Sequence, residues 1–327
     1  LGMSNFAGIM TMMVGGITFL LATFAAVSQS NAKRVLAYST IANLGLIVTC
    51  GGIGTAEAVW AGIMLIIFHA VTKSLLFLCV GTAEHNIGSR DIEDMDGLFV
   101  RMPRLAMFMM IGIAGMFLAP FGMLISKWAA MTAFVGSGNI ILVGIICFGS
   151  AVTAFYWIKW MGKLSAIVAG ERNIQENVHK EEWFVQGTLV VLTILVCLIF
   201  PLISIYILVP YLETVFGGLS AMIMSSDNMI IMCIMVAFLV VLAGLFFGKT
   251  KKKIVPIYLA GVNEGDNRTY VGSMQKDIKF SLRNWHMEKY FGEKKMNLIG
   301  GVLTVVMLIV GIGFMIGQLI SLLGGAA

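Results

Sequence analysis

The feature that most constrains this chain is a series of long apolar blocks that carry almost no charge. Each block is near the roughly 20 residues that an α-helix needs to cross a bilayer. The eight blocks run approximately over 6–27, 35–53, 57–81, 104–135, 139–161, 183–210, 229–247 and 298–323. A transmembrane barrel would need strands of about ten residues with alternating polarity, and no such alternation is present. The predicted fold class is therefore an all-α integral membrane protein with about eight transmembrane helices.

Composition excludes the alternative of a soluble globule. Only 12% of the 327 residues are charged, whereas soluble domains average about 25%. The five cysteines stand singly inside apolar blocks, without the spacing of metal ligands, so we interpret them as small core residues (Cys50, Cys79, Cys147, Cys197 and Cys233). We expect no cofactor and no metal in this chain. It opens at Leu1 without a basic segment or an initiator Met, so a secretory signal is not evident and further chain upstream stays open.

The basic residues predict the topology. With eight spans, the connections near 28–34, 82–103, 162–182 and 248–297 share one side of the membrane, which we call the basic face. Counting residues at the helix edges, this face holds 20 of the 22 Lys and Arg residues, and the opposite connections hold none. The positive-inside rule then places the basic face in the cytoplasm and both chain ends outside. We expect the cytoplasmic membrane of a prokaryote.

The stretch 248–297 is the one long polar connection. It starts with a run of lysines and continues through a turn-rich segment into mixed charges. We interpret it as a cytoplasmic loop with one interfacial helix near 274–291; a docking surface for a partner protein is the alternative. Nucleic-acid binding is not indicated, because acids and bases alternate here.

Two ionisable residues share one face of the third span. His69 and Lys73 are four residues apart, which places both side chains on the same side of a helix. A charge at the bilayer centre costs roughly 2.5–3.5 kcal/mol, so such residues usually serve a function. His titrates near physiological pH, and burial shifts a Lys towards neutrality. These residues predict a proton relay; the alternative is a snorkelling Lys73 and a His69 that only bonds a neighbouring helix.

The fourth span is too long for one straight helix. Its 32 residues would reach about 48 Å, against a hydrocarbon core of about 30 Å. Pro120 lies in the middle and removes a backbone donor, so we expect a broken helix there. Lys127 follows the break by two turns, in the outer half of the membrane. The alternative is an ordinary proline kink with an interfacial Lys127.

A third polar group lies at the start of the second span, with Lys33 at the membrane edge and Ser39, Thr40 and Asn43 further in. Such residues either hold helices together or line a path for protons, and the two interpretations are equally open. Taken with His69, Lys73 and Lys127, they form a series of titratable or hydroxyl groups at successive depths. This predicts a proton path through the membrane if water fills the gaps.

Several stretches resemble the antiporter-like subunits of respiratory complex I, Mrp cation/proton antiporters and membrane-bound [NiFe] hydrogenases. The segment 32–40 resembles their KRVLAYST signature, and 69–78 resembles their HAxxKALLFL helix. Gly97-Leu98 with Met102-Pro103, and then 120–127, resemble the start and the break of their broken helix. Together these motifs cover residues 1–165. The stretches 119–128 and 258–273 look most like the large antiporter-like subunit of energy-converting hydrogenases.

The resemblance implies specific roles for the site residues. Lys73 would be the lysine that connects two half-channels, His69 its relay partner and Lys127 the broken-helix residue on the exit side. It also implies that this is the second of two inverted five-helix repeats, whose first repeat lies upstream or in another polypeptide. The domain division expected is 1–165 for the repeat with the proton path, 166–247 for additional helices, 248–297 for the cytoplasmic loop and 298–327 for a last span.

The function expected is translocation of protons, or of Na⁺, by a subunit of a redox-driven oxidoreductase complex. Fe–S clusters and a NiFe site or flavin are then expected in partner subunits, which would comprise other membrane subunits and a peripheral cytoplasmic redox arm. Two alternatives stay open. One is a subunit of an Mrp-type Na⁺/H⁺ antiporter, and the other is a non-conducting membrane anchor for a peripheral redox enzyme.

Overall fold

A computed structural model of the chain describes residues 5–118, 121–165, 178–217, 234, 237, 269–271, 273–279 and 286–324. Within these residues, seven helices or helix pairs are long and apolar enough to cross a membrane. They correspond to seven of the eight predicted spans. The predicted span 229–247 lies outside the described residues, apart from positions 234 and 237. The all-α membrane fold predicted from the apolar blocks is confirmed.

The first three helices are long and continuous: α1 (Asn5–Val27), α2 (Ala32–Ile53) and α3 (Ala56–Ile87). Asn31 caps α2 by accepting a hydrogen bond from the Arg34 amide, and Thr55 caps α3 in the same way. Gly54 and Gly88, both in the left-handed conformation, end α2 and α3. The turns between these spans are thus encoded locally by their capping residues.

Helices α1 and α2 pack with their backbones nearly in contact. A Cβ atom added at Gly15 would lie 2.5 Å from the Gly45 carbonyl oxygen, and one at Gly52 would lie 2.5 Å from the Met12 amide nitrogen. Small residues at such crossings are the usual means by which membrane helices approach closely, because lipid offers little hydrophobic drive for association. The pair forms one wall of the helical bundle.

The fourth span is broken, as predicted. After the short helix α4 (Leu98–Arg101), α5 (Pro103–Phe117) ends at Leu118, whose backbone is extended, and α6 (Gly122–Gly136) begins after Phe121, which is also extended. Pro120, to which the break was assigned, lies outside the described residues. The Gly122 amide donates to the Cys197 sulfur at 3.4 Å, so a group from another helix satisfies a free donor at the break.

The next span is α7 (Ile140–Ser165). Helix α8 (Lys180–Ile203) continues through a π-helical turn at Ser204–Leu208 into α9 (Val209–Phe216). The last span is α11 (Glu293–Gly324), which follows the short helix α10 (Glu288–Phe291). Helix α11 lies along α1: the Phe24 and Phe291 rings stack near one end, and the Phe6 and Phe314 rings near the other. The start of α1 and the later part of α11 therefore lie on the same side of the bundle.

The polar stretch differs from the expectation of an interfacial helix near 274–291. Its described part contains an antiparallel hairpin of β1 (Thr269–Val271) and β2 (Asp277–Lys279), in which Tyr270 pairs with Ile278. Met274 and Gln275 have positive φ in the connecting turn, which is incompatible with a continuous helix. Within 274–291, α-helix is present among the described residues only at Glu288–Phe291, and a 3-10 turn runs over Ser273–Gln275. Short segments of mixed polarity fit helical and strand periods alike, so the hairpin was not evident from the sequence.

The described parts of the predicted basic face lie next to one another in the structure. Residues Asn31 and Asp91 form a backbone bridge between the first two of them. Glu84 receives ion pairs from Lys33, at 2.5 Å, and from Arg90. Arg34 pairs with Glu293 at 2.9 Å, which joins the start of α11 to the same surface.

A more buried charge network lies beside these pairs. Lys163 Nζ is 2.8 Å from Glu93 Oε2 and 3.6 Å from Asp96 Oδ2. Burial raises the pKa of Asp96, and the Lys163 charge opposes this shift. On the other side, Glu93 Oε1 lies 3.2 Å from His286 Nε2, and His286 Nδ1 lies 3.1 Å from Lys159 Nζ. The network ties α7 to the segment that precedes α10.

Candidate functional site

The site forms around Lys73, in the middle of α3. Only 5% of its surface is exposed, and its ammonium donates to the Leu36 carbonyl at 3.0 Å and to the Ser39 hydroxyl. Helix α3 therefore binds α2 through a buried cation. A snorkelling lysine would extend towards a membrane surface, so this alternative for Lys73 does not describe the structure.

The Leu36 carbonyl collects several donors. In addition to Lys73, the hydroxyls of Ser39 and Thr40 each donate to it at 2.9 Å. Because the Ser39 proton points to Leu36, its oxygen lone pairs are free to accept from Lys73. Asn43, one turn further on, donates to the Ser39 carbonyl at 2.7 Å. The polar residues of α2 thus arrange acceptors around one ammonium.

His69 lies one helical turn from Lys73 on the same face, as predicted, and is 7% exposed. Its Nδ1 atom is buried and has no hydrogen-bond partner among the described residues, and the same holds for Asn43 Oδ1. A buried polar atom without a partner costs about 1–3 kcal/mol. Such atoms are usually satisfied by water in a polar cavity, which is the medium that a proton path needs.

Lys127 is buried as well, with 5% of its surface exposed, so the alternative of an interfacial lysine does not hold. Helix α6, which carries it, packs against α3 at the break. A Cβ atom added at Gly122 would lie 2.0 Å from the Phe68 ring, next to His69 in the sequence. The broken helix is therefore in direct contact with the turn of α3 that carries the predicted relay.

One predicted supporting residue lies apart from this group. Lys33 is at the membrane edge, where it pairs with Glu84 on the basic face. It is six residues before Ser39, about 9 Å along the helix axis. Ser39 bonds Lys73 directly, Asn43 bonds the Ser39 carbonyl within α2, and Thr40 shares the Leu36 carbonyl. Pro120 lies outside the described residues.

Helix α7 also contributes to the site, which was not predicted from the sequence. The Lys73 ammonium lies 5.1 Å from the centroid of the Trp157 ring, and Trp157 stacks on Trp160 with 5.7 Å between ring centroids. A cation over an aromatic face gains about 0.5–2 kcal/mol, more when desolvated. Trp157 lies 84 residues after Lys73 in the sequence, so only the fold could reveal the contact.

The arrangement can hold a proton on an amine inside the membrane. Acceptors from α2 and the Trp157 face stabilise the ammonium form of Lys73. An amine held in this way is a group that can carry a proton inside the bundle. Among the described residues, no group of three or more His, Cys, Asp or Glu side chains is arranged to hold a metal ion.

Comparison with known proteins gives a family match and several similar chains. Residues 1–153 match the family described as NADH:quinone oxidoreductase/Mrp antiporter, TM. A subunit of the Na(+)/H(+) antiporter of Alkalihalophilus pseudofirmus is 33% identical over 159 residues, which are 44% of this chain and 20% of that protein. A protein of Staphylococcus aureus strain MRSA252 named as antiporter subunit mnhA2 is 30% identical over 254 residues, 67% of this chain and 31% of that protein.

Among solved structures, the membrane-bound sulfane sulfur reductase, an archaeal respiratory membrane complex, contains a similar chain. The TM-score is 0.54 at 26% identity, and the match covers 64% of this chain and 42% of that one. The chain thus spans less than half the length of each of these relatives. The site described above lies almost entirely within the matched residues 1–153; Trp157, Trp160 and Cys197 are contributed from beyond them.

Proposed function

We propose that this chain is an antiporter-like membrane subunit that moves protons across the membrane through Lys73, His69 and Lys127. The match of residues 1–153 to the NADH:quinone oxidoreductase/Mrp antiporter transmembrane family supports the proposal. The observation that carries the proposal is the buried Lys73 ammonium, held by the Leu36 carbonyl and the Ser39 hydroxyl. A permanent structural charge would gain nothing from a position that costs several kcal/mol. A group that must accept and release a proton needs that position.

In this proposal each residue has a separate task. Neutral Lys73 takes up a proton, and the acceptors on α2 hold the resulting ammonium. His69 receives the proton through water at its buried Nδ1 atom and passes it towards the broken helix. Lys127, on α6 beyond the break, releases it to the outer side. The basic face lies in the cytoplasm, and both ends of the chain lie outside.

The driving reaction is the second part of the proposal. We place the chain in a redox-driven complex of a prokaryotic cytoplasmic membrane, with other membrane subunits and a peripheral cytoplasmic arm that carries Fe–S clusters and a NiFe site or flavin. The likeness to a chain of the sulfane sulfur reductase, a respiratory membrane complex, supports this assignment. Energy-converting hydrogenases are the subclass that the sequence motifs favour.

An Mrp-type Na⁺/H⁺ antiporter is the second candidate, supported by the two relatives named as antiporter subunits. The two candidates differ in what drives transport. Purification of the native complex with iron, nickel or flavin subunits favours the first. Exchange of Na⁺ for protons driven by an imposed gradient alone, without such subunits, favours the second.

The test of the site is common to both candidates. Lys73→Ala and Lys127→Ala are introduced into the full complex, and proton movement is followed with a pH-sensitive dye in membrane vesicles. We expect assembly to persist and transport to stop in each variant. Normal transport by the single variants rejects the assigned path. A non-conducting anchor predicts that replacing His69, Lys73 and Lys127 together by apolar residues leaves the coupling of turnover to transport intact.

A further inference from the structure

Helix α8 presents a regular line of polar side chains to the site-bearing helices, although it lies outside the matched residues 1–153. The line consists of Glu182, Gln186, Thr193, Cys197 and Ser204, spaced by four, seven, four and seven residues. This spacing keeps all five on one face of a helix. Four of them are buried, and Glu182 is partly exposed.

At the end nearest the basic face, this line of side chains forms a hydrogen-bonded group with α3. The Thr82 hydroxyl donates to Glu182 Oε2 at 2.6 Å, and the Gln186 amide donates to the Thr82 oxygen at 2.7 Å. Thr82 and Gln186 are 4% and 1% exposed. Glu182 lies two residues after the start of α8 at Lys180, on the basic face, and can reach water. The group thus runs from the membrane surface into the bundle.

One atom of this group lacks a partner. Gln186 Oε1 is buried and accepts no hydrogen bond from any described residue. An amide oxygen in this position is expected to bind a water molecule, because a buried acceptor without a partner is costly. Gln186 lies one turn further into α8 than Glu182. It therefore marks where a chain of water would continue from Glu182 towards the centre of the membrane.

Helix α8 approaches the site again deeper in the bundle. Thr72, next to Lys73, and Thr193 flank the same glycine: a Cβ added at Gly115 would lie 3.3 Å from Thr72 Oγ1 and 3.6 Å from Thr193 Cγ2. Cys197 then accepts from the amide at the helix break. Thr82 is nine residues from Lys73, about 14 Å along α3. Water between these two levels would complete the connection.

We propose that Glu182 is a proton intake group on the cytoplasmic side and that Gln186 and Thr82 position the water that carries the proton towards Lys73. The inference rests on the proposed function, since it supplies the proton that Lys73 receives. The Glu182 carboxylate takes a proton from bulk water and passes one to water bound at Gln186 Oε1. That water chain delivers a proton to the neutral amine of Lys73, and the carboxylate is restored.

The competing interpretation is a purely structural clamp between α3 and α8. Glu182→Gln separates the two, because the glutamine oxygen still accepts from Thr82 while the side chain can no longer carry a proton. In membrane vesicles that contain the full complex, we expect Glu182→Gln to lower the initial rate of proton movement by about tenfold or more. Glu182→Asp should retain most of the rate. Glu181→Gln is the matched control, since Glu181 is exposed on the same turn, and should not change it.

A clamp without proton transfer predicts that Glu182→Gln transports at the wild-type rate, and this result would overturn the proposal. If Glu182→Gln fails to assemble, Gln186→Leu tests the same path, because it removes the water-binding oxygen and leaves the bond from Thr82 to Glu182. We expect transport at least several-fold slower, and a normal rate counts against the intake. If Lys73→Ala stops transport and Glu182→Gln transports normally, only this inference is rejected. If Lys73→Ala still transports, the proposed function itself is rejected.

Discussion

Lys73 donates a hydrogen bond to the Leu36 carbonyl oxygen at 3.0 Å, inside the membrane-spanning part of the molecule. The same oxygen receives the hydroxyls of Ser39 and Thr40. In a helix, a carbonyl normally accepts one backbone bond, and three additional donors concentrate on this one. The start of α2 is therefore built as an acceptor for a cation that α3 supplies, which gives the polar residues of α2 a defined purpose.

Ser39→Ala should weaken transport more than Thr40→Val does. Both changes remove a hydroxyl bound to the Leu36 carbonyl, but only Ser39 accepts a bond from Lys73. Loss of a hydrogen bond to a charged group is worth about 1.5–3 kcal/mol, which here falls on the charged state of Lys73. We expect a clearly lower rate of dye-detected proton movement for Ser39→Ala and a rate near wild type for Thr40→Val. Equal effects would show that the contact with Lys73 is immaterial.

Gly122→Ala should destabilise the broken helix. The added methyl group would meet the Phe68 ring at 2.0 Å, so either the buried ring or α6 must shift. Overpacking of this kind costs about 1–3 kcal/mol. Thermal unfolding in detergent, followed by reaction of a dye with the buried thiols of Cys50 and Cys79, measures the change. Gly162→Ala in α7 is the control, because nothing lies within 4 Å of its added methyl group.

Phe68→Ala combined with Gly122→Ala should recover part of the lost stability, because the clash is then removed. If the stability change of the double variant equals the sum of the changes in the two single variants, the assigned contact between Phe68 and Gly122 is contradicted.

His286 should make the protein less stable as the pH falls below about 6.5. Burial lowers the pKa of His286, and the nearby charge of Lys159 lowers it further, whereas Glu93 opposes the shift. The Lys159 ammonium can only donate a hydrogen bond. The neutral His286 ring therefore accepts at Nδ1 from Lys159 and donates from Nε2 to Glu93. Below about pH 6.5 the unfolded state binds a proton that the folded state resists, so the free energy of unfolding decreases.

The same thiol-dye assay between pH 7.5 and 5.5 measures this dependence. The difference between the wild type and His286→Gln isolates the contribution of the ring, because glutamine does not titrate. We expect a shallower loss of stability on acidification in the variant. An unchanged slope would mean that His286 is protonated equally in the folded and unfolded states.

Local rules in the sequence were sufficient for the spans, the break and the shared face of His69 and Lys73. Each of these depends on spacing within one helix or on a residue such as proline with a fixed effect on the backbone. They could not show that Lys33 ends in an ion pair at the surface, although it is only six residues from Ser39. Whether a cation turns inward or outward depends on the neighbouring helix, here Glu84 at the end of α3.

Contacts between distant parts of the chain were beyond reach for the same reason. Trp157 beside Lys73, and Gln186 beside Thr82, join residues separated by 84 and 104 positions. Nothing in the local pattern of a tryptophan or a glutamine in an apolar helix identifies its partner. The hairpin at Thr269–Lys279 was missed differently, since short polar segments fit both helical and strand periods.

The close packing of α1 on α2 has a consequence for how the molecule moves. With Gly15 and Gly52 pressed against the opposing backbone, the two helices cannot slide or rotate separately without collision. The two helices are therefore expected to move as one body, to which Lys73 is hydrogen-bonded through the Leu36 carbonyl. We expect a rearrangement during transport to occur between α5, which ends at Phe117, and α6, which begins at Gly122, rather than between α1 and α2.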